Sequence, residues 1–119
     1  MGVTGIGGFF FRAKDPEALS KWYAEHLGVG AGKYGKWEMQ AGTSVFSPFK
    51  ADTDYFPKDH QWMLNLRVDN RDELCAKLRA AGIEVIIKDE WDASGVGLFA
   101  RIHDPEGNPI ELWQPPIKS

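Results

Sequence analysis

The chain has little cysteine, no long apolar run and no signal-peptide pattern, which are the features that mark secreted and membrane proteins. Among its 119 residues there is only one cysteine, Cys75, so no internal disulfide can form. The longest apolar runs, such as residues 6–11, are far shorter than the roughly 20 residues that a membrane-spanning helix needs. Residues 1–8 also lack the charged and then apolar pattern of a signal peptide. These absences favour a cytoplasmic protein with no membrane partner.

The charged side chains form no cluster of one sign. The 14 Lys and Arg residues and the 17 Asp and Glu residues are spread along the chain, and the formal charge is -3. Nucleic-acid binding depends on a concentrated basic surface that neutralises phosphates, so no such partner is expected. With 43% hydrophobic residues, the chain is long enough for one core and too short for two ordinary domains.

Two helices are predicted from their start and stop signals. Residues 15–17 (Asp-Pro-Glu) supply an N-cap, a first-turn proline and an acidic first turn, and Gly28 ends the apolar stripe that follows. Asn70 begins a second helix in the same way, and Gly82 ends it. Strands are predicted around both helices, at residues 6–13, 37–40, 43–49, 62–68, 83–87, 97–103 and 109–113.

The two halves repeat one order of elements at an offset of 55 residues. Asp15 falls on Asn70, and Leu19 falls on Leu74. Self-similarity over about half a chain indicates two similar units related by a pseudo-twofold axis. The predicted organisation is a single domain of residues 1–119. It has module one at about 4–49, a connector at 50–60 and module two at about 61–115.

Three stretches are distinctive enough to suggest a family. They are residues 12–15 (Arg-Ala-Lys-Asp), 22–28 (Trp-Tyr-Ala-Glu-His-Leu-Gly) and 104–112 (Asp-Pro-Glu-Gly-Asn-Pro-Ile-Glu-Leu). Together they resemble the vicinal oxygen chelate superfamily, which includes glyoxalase I, bleomycin resistance proteins and extradiol dioxygenases. The resemblance implies an α+β fold of two βαβββ modules, whose mixed sheet curls around a cleft with the helices outside. It also implies a homodimer.

Metal-dependent members of this superfamily hold a divalent ion with four side chains that face the cleft. The resemblance places these positions at Gly8, Ser47, Met63 and Glu111. Only Glu111 is a usable ligand, because glycine has no side chain and a thioether is too soft for a hard divalent cation. We therefore expect neither a metal nor another cofactor. A substitute metal site that includes Glu111 stays open as the alternative.

Strand alternation separates the side chains that face the helices from those that face the cleft. In the last two strands it predicts that Ile102, Ile110 and Leu112 belong to the core. The predicted ligand-binding residues face the cleft and mix apolar with polar character, as small-molecule pockets do. They are Phe10, Arg12, Ser47, Phe49, Met63, Asn65, Arg101 and Trp113. Glu111 and His103 are the candidate catalytic residues, since both can exchange protons near neutral pH in a suitable environment.

For several residues two interpretations stay open. Arg12 and Arg67, which the offset of 55 pairs, either clamp an anion or reach solvent or acidic neighbours at the ends of their strands. His103 either acts in the cleft or begins the turn and bonds to Asp104 or to the backbone. The connector at 50–60 is either a solvated linker or part of a lid over the cleft.

The resemblance is compatible with more than one class of function. The first is a metal-independent binding protein of the bleomycin-resistance type, which holds a small amphipathic ligand. The alternatives are a metal-dependent enzyme of the glyoxalase or dioxygenase type and a metal-free lyase or isomerase that uses Glu111 and His103. The most specific motif, at 104–112, is shared across these chemistries, so it leaves open whether any reaction is catalysed.

Overall fold

A computed structural model describes residues 2–117 of the chain. Its elements, in chain order, are α1 (Pro16–Leu27), a 3-10 helix (Lys33–Gly35), β1 (Leu64–Arg67), α2 (Arg71–Ala80), α3 (Asp89–Asp92), β2 (Leu98–His103) and β3 (Pro109–Gln114). The predicted α+β class is confirmed, with a small, open mixed sheet. Within the described range, no helix combines the length and the apolar character that crossing a membrane requires.

The sheet has its last strand in the middle. Its order is β1-β3-β2, and β3 runs parallel to β1 and antiparallel to β2. Leu112 pairs with Leu66 on one side and with Ala100 on the other. Because register partners project to the same side of a sheet, these three apolar side chains share one face.

The core lies between that apolar face and the two long helices. Its buried residues are Leu19, Tyr23, Leu66, Cys75, Leu78, Ala100, Ile102, Ile110 and Leu112. Ile102, Ile110 and Leu112 have no exposed surface, as the strand alternation predicts. Cys75 packs in the core, and this burial raises the pKa of its thiol. The side chain is therefore not an activated thiolate.

Both long helices begin where the sequence predicts. The Asp15 side chain accepts the backbone N–H of Ala18 at 3.1 Å, and that of Asn70 accepts the N–H of Glu73 at 3.0 Å. Gly28 ends α1 in the left-handed conformation, with φ at 68°. The two caps lie 55 residues apart, from 15 to 70. The helical part of the repeat is therefore present in the structure.

The first half differs from the prediction in its strands. Within the described residues, 6–13, 37–40 and 43–49 form no paired strand, and 83–87 contribute only the isolated bridge from Ile86 to Arg101. All of residues 2–12 and 31–52 are exposed. A strand needs a neighbour that satisfies its backbone N–H and C=O groups. The three first-half ranges have no such partner, and residues 83–87 have one only at Ile86. The arrangement of two complete modules is therefore not confirmed.

Side chains of the second half hold parts of the first half in place. The Arg67 guanidinium donates to the carbonyls of Gln40 at 2.6 Å and Thr43 at 2.8 Å. The Glu106 carboxylate accepts the backbone N–H groups of residues 14 and 15, at 2.7 and 3.1 Å. Arg67 is thus bonded to backbone carbonyls, which is neither of the two roles that the sequence left open for it.

Candidate functional site

Tyr55 lies at the centre of the polar face of the sheet. Its hydroxyl donates a hydrogen bond to the Glu111 carboxylate, and its carbonyl accepts one from Arg101 Nη2 at 3.0 Å. The Arg101 guanidinium lies 5.2 Å from the centre of the Tyr55 ring. Arg101 and Glu111 are register partners on β2 and β3. Tyr55 therefore bridges two charged side chains on adjacent strands.

The connector that carries Tyr55 packs through its aromatic residues. The Phe49 ring stacks on Tyr55 with their centres 5.6 Å apart, and Phe56 meets Phe49 edge-on at the same distance. The Trp91 ring of α3 packs edge-on against the Tyr55 ring, with the ring centres 6.2 Å apart. The backbone N–H of Tyr55 donates to Thr53 Oγ1 at 3.2 Å, which tightens the turn before it. The connector is thus packed against the sheet through Tyr55 and Phe56, while most of its other residues are exposed.

The Glu111 carboxylate is buried, with only 7% of the residue exposed. One oxygen accepts the Asn65 amide N–H at 2.7 Å, and the other accepts the Tyr55 hydroxyl. Burial, and after it the bond to Glu111, raises the pKa of Tyr55, so the phenol keeps its proton and stays a donor at neutral pH. Both oxygens of Glu111 therefore have protein donors.

The Arg101 guanidinium is almost as deeply buried, with 8% of the residue exposed. Its Nη2 donates to the Tyr55 carbonyl at 3.0 Å and to the sulfur of Met63 at 3.2 Å. Within residues 2–117, its Nε has no hydrogen-bond partner, and no carboxylate lies within ion-pairing distance. The protein thus uses only part of the hydrogen-bonding capacity of this side chain.

A groove of about 470 Å³ lies beside Tyr55 and Arg101. Aromatic rings and basic side chains line it together, among them Tyr55, Lys58, Lys88, Trp91, Arg101 and His103. The ammonium group of Lys88 lies 5.2 Å from the centre of the Trp91 ring, close enough for a cation–π contact. A volume of this size is typical of sites for small organic ligands.

His103 lies at the end of β2, where it lines the same groove. Burial, and after it the neighbouring Arg101 charge, lowers the pKa of His103, so its imidazole is neutral at pH 7. The predicted alternative, a bond from His103 to Asp104, is not formed. The Asp104 carboxylate instead accepts the Tyr23 hydroxyl at 2.6 Å and the Asn108 amide at 2.7 Å.

The predicted ligand-binding residues do not lie in one cleft. Phe10 and Arg12 line a second groove of about 600 Å³, together with Phe11, Trp62 and Asn108. Much of this second groove is formed by the exposed segment before α1. The pair of Arg12 and Arg67 is also not assembled as a clamp, because Arg67 is bonded to the backbone of residues 40 and 43.

The other predicted residues are divided between the Tyr55 site and more distant positions. Four contact Tyr55 or its two charged partners, namely Phe49, Met63, Asn65 and Arg101. Ser47 is exposed in the segment that lacks a paired strand. Trp113 follows Glu111 on β3, but its indole N–H donates to the carbonyl of Val96 at 2.9 Å. The structure therefore brings together about half of the predicted set.

The four positions implied by the superfamily for a metal do not form a set of ligands. Both oxygens of Glu111 already accept hydrogen bonds, and the Met63 sulfur accepts one from Arg101. Gly8 and Ser47 lie in the exposed first-half segments. Across residues 2–117, no three His, Cys, Asp or Glu side chains are grouped so that they could hold a metal ion. The residues at these positions do not fit a divalent cation.

Several groove residues were not among the predicted site residues. Lys58 belongs to the connector, and Lys88 and Trp91 lie at or near α3. These stretches show no periodicity, and their positions depend on how they fold back onto β2. The adjacent aromatic residues Tyr55 and Phe56, in an otherwise polar connector, are the one sequence signal that points to packing there.

Comparison with known proteins gives a family that spans most of the chain. The glyoxalase-like domain family matches residues 8–113. Among curated proteins, no significant match is found.

Two solved structures of proteins from Streptomyces sp. CB03234 resemble the chain. TnmS3, an antibiotic binding protein, is 26% identical, with 98% of this chain and 99% of that chain covered and a TM-score of 0.63. A glyoxalase/bleomycin resistance protein is 27% identical, with 85% of this chain and 92% of that chain covered and a TM-score of 0.51. Both similarities extend over the first half as well as the second.

Proposed function

The chain belongs to the glyoxalase-like domain family of the vicinal oxygen chelate superfamily, and on that premise we propose that it binds a small molecule, as bleomycin resistance proteins do. The groove beside Tyr55 and Arg101 carries this proposal, because it joins aromatic and charged side chains in a space of ligand size. The similarity to TnmS3, an antibiotic binding protein, supports the same role.

We further propose that binding in this groove needs no metal. Among the four superfamily positions only Glu111 has a side chain suited to a divalent cation. Its two oxygens accept hydrogen bonds from Asn65 and Tyr55, which orient the carboxylate without a cation. The amide and the phenol hold the carboxylate in place of a cation. Glu111 is thus a structural residue of the site.

Ligand binding is tested by a thermal-shift screen with aromatic acids, thiol adducts and cationic glycopeptides, followed by titration calorimetry. A bound compound raises Tm by mass action. We expect Trp91→Ala to weaken binding at least about fivefold, since an aromatic contact contributes roughly 1 kcal/mol beyond its buried area. Trp37→Ala, in the exposed first half, is the matched control and leaves Kd unchanged. If no compound raises Tm, the proposal is wrong.

Metal independence is tested on protein purified without a chelator. We expect elemental analysis to find no stoichiometric divalent ion, and we expect EDTA to leave the Kd of a compound from the screen unchanged. Glu111→Gln keeps an acceptor for Tyr55 and retains ligand binding. One divalent ion per chain that is lost in Glu111→Ala would overturn metal independence and leave the binding proposal standing.

We infer that two copies of the chain form a homodimer in which the first-half strands are completed. Phe10 and Phe46 are each 92% exposed and Val45 is 72% exposed. Apolar surface on this scale is a mark of an interaction site. Residues 6–13 and 44–49 also belong to no paired strand, so their backbone groups can pair with a second copy. The pairing would complete two βαβββ modules around a shared cleft.

The dimer is tested by sedimentation and by light scattering over a wide range of concentration. We expect a homodimer that Phe10→Ser and Phe46→Ser shift toward monomer. Val96→Ser, at a side chain of the second half that is 55% exposed, is the control and leaves the dimer intact. A wild-type chain that stays monomeric at every concentration contradicts the inference.

A further inference from the structure

We propose that the groove beside Arg101 binds an aromatic anion, with Arg101 on the acidic group and Tyr55 and Trp91 against the aromatic part. The inference rests on the proposed function, since it names the class of ligand for the same site. Three features of the groove support it. Arg101 has no charged partner, basic side chains outnumber acidic ones along the groove, and two aromatic rings form an angled corner.

Arg101 is a buried cation whose protein partners are all uncharged. Its Nη2 bonds to the carbonyl of Tyr55 and to the thioether of Met63, and its Nε has no partner within residues 2–117. Only 8% of the residue is exposed, so water does little to solvate the charge. Buried charges are ordinarily paired, and a carboxylate is the acceptor that best matches a guanidinium.

Glu111 does not supply the missing counter-charge by direct contact. It occupies the register position opposite Arg101, yet its oxygens accept from Asn65 and Tyr55. The Tyr55 phenol lies between the two charges, with its hydroxyl on the carboxylate and its ring near the guanidinium. An acidic ligand can therefore bind Arg101 without displacing a protein carboxylate.

The remaining charges of the groove favour the same class of ligand. Lys58 and Lys88 line it beside Arg101, and Asp54 is the acidic side chain among the described lining residues. Three basic groups against one acidic group give a positive local field, which concentrates anions at the groove. A cationic ligand of the same shape would be repelled.

The rings of the groove define the rest of the ligand. Tyr55 and Trp91 meet with their centres 6.2 Å apart and their planes at 60°, so they form an angled corner. Phe49 and the Arg101 guanidinium already lie against the Tyr55 ring. A flat ring system can therefore meet Tyr55 edge-on and lie against Trp91, the two favoured aromatic geometries. With about 470 Å³ available, the groove is large enough for a fused bicyclic acid.

The test uses three compounds that share one ring system and differ in charge. They are 2-naphthoate, 2-naphthamide and 2-naphthylmethylammonium, titrated by calorimetry into the full chain. We expect 2-naphthoate to bind at least tenfold more tightly than the amide, and the ammonium compound to bind most weakly. Arg101→Gln should abolish the preference for the acid. Arg79→Gln is the matched control, because Arg79 lies on the exposed side of α2 and bonds to the Val85 carbonyl.

A second variant protects the test against misfolding of Arg101→Gln. Lys58 and Lys88 are exposed, so the double substitution Lys58→Gln/Lys88→Gln leaves the fold intact. It should weaken 2-naphthoate severalfold and leave the amide unchanged. If the amide binds as tightly as the acid, or the ammonium compound binds more tightly, the anion inference is wrong and the proposed function stands. If none of the three compounds binds while another compound of the thermal-shift screen does, the anion inference is again wrong and the proposed function stands.

Discussion

The two halves of the chain have equivalent helices and very different strands. Asp15 and Asn70 cap α1 and α2 with the same hydrogen bond to the residue three further on. In the second half, three strands pair around Ile110 and Leu112, which have no exposed surface. In the first half, the corresponding ranges are exposed, with Phe46 at 92%. A helix cap is formed within one segment, whereas a strand depends on a neighbouring surface.

The largest difference between the halves should appear when the same residue is shortened in each. Ile110→Ala removes a side chain with no exposed surface and should lower the free energy of unfolding by about 4 kcal/mol, through lost burial and a residual cavity. Ile6→Ala, at a side chain that is 63% exposed, should change it by less than about 0.5 kcal/mol. Urea unfolding of dilute protein measures both.

A large effect of Ile6→Ala in dilute protein would show that the first half is as well packed as the second. An effect that grows with protein concentration would instead show that a second copy covers this segment, in line with the inferred homodimer.

The next largest effect concerns the contact that ties the halves together. The Asp104 carboxylate accepts the Tyr23 hydroxyl from α1 and the backbone and side-chain N–H groups of Asn108. Asp104→Ala should cost about 3 kcal/mol, because it leaves several buried donors without an acceptor. Tyr23→Phe removes one of these bonds and should cost about 1 kcal/mol.

Equal losses in the two variants would show that Asp104 acts only through α1. A smaller loss than 1 kcal/mol in Asp104→Ala would mean that water replaces the carboxylate, and that the halves are held together mainly by the apolar core. Thermal unfolding followed by near-ultraviolet circular dichroism measures both variants.

A smaller effect is expected where the connector meets the sheet. Tyr55→Phe removes the hydroxyl that bonds to Glu111 and should lower the free energy of unfolding by about 1 kcal/mol. Tyr34→Phe is the matched control in the first half, where the ring is 88% exposed, and should have no effect. Chemical unfolding gives the difference. If the two variants are equal, the connector is no better anchored than the first-half segments.

The smallest expected effect is a change of stability with pH in the second half. Burial lowers the pKa of His103 below its ordinary value of about 6.5. Between these two pKa values the unfolded chain binds more protons than the folded chain, so stability falls as pH drops below about 6.5 and levels off below the folded pKa. His103→Gln should remove this part of the acid loss. Urea midpoints at pH 7.5 and at acid pH, compared between the two proteins, measure it.

The candidate site shows where sequence-based prediction works for this protein and where it stops. Alternation along β2 and β3 placed Arg101 and Glu111 on the face opposite Ile102 and Ile110, and the structure has them there. The direction of a side chain within a strand is a local property, so a pattern of period two is enough to find it. Whether those side chains bind a ligand is still a prediction.

Tyr55 could not be placed in the site in the same way. It lies 56 residues before Glu111 in the chain, within a connector that has no periodic pattern. Its contact with the carboxylate depends on how the connector crosses the sheet. Strand alternation also predicted that Phe10 and Arg12 share a cleft with Arg101, but in the structure they line a separate groove. The pairing of strands determines which side chains of different strands lie next to each other. That pairing joins residues far apart in the chain, so a local sequence pattern does not predict it.

The sequence by itself determined the two capped helices, the apolar face of the last two strands and the family, because each depends on residues that are close along the chain. Only the tertiary structure decided that Tyr55 bridges Arg101 and Glu111, that Arg67 holds the backbone at residues 40 and 43, and that the first-half segments are exposed. Those features depend on contacts between segments that are far apart in the chain. A local sequence pattern does not show which distant segments will meet, because many pairings of such segments are compatible with the same pattern.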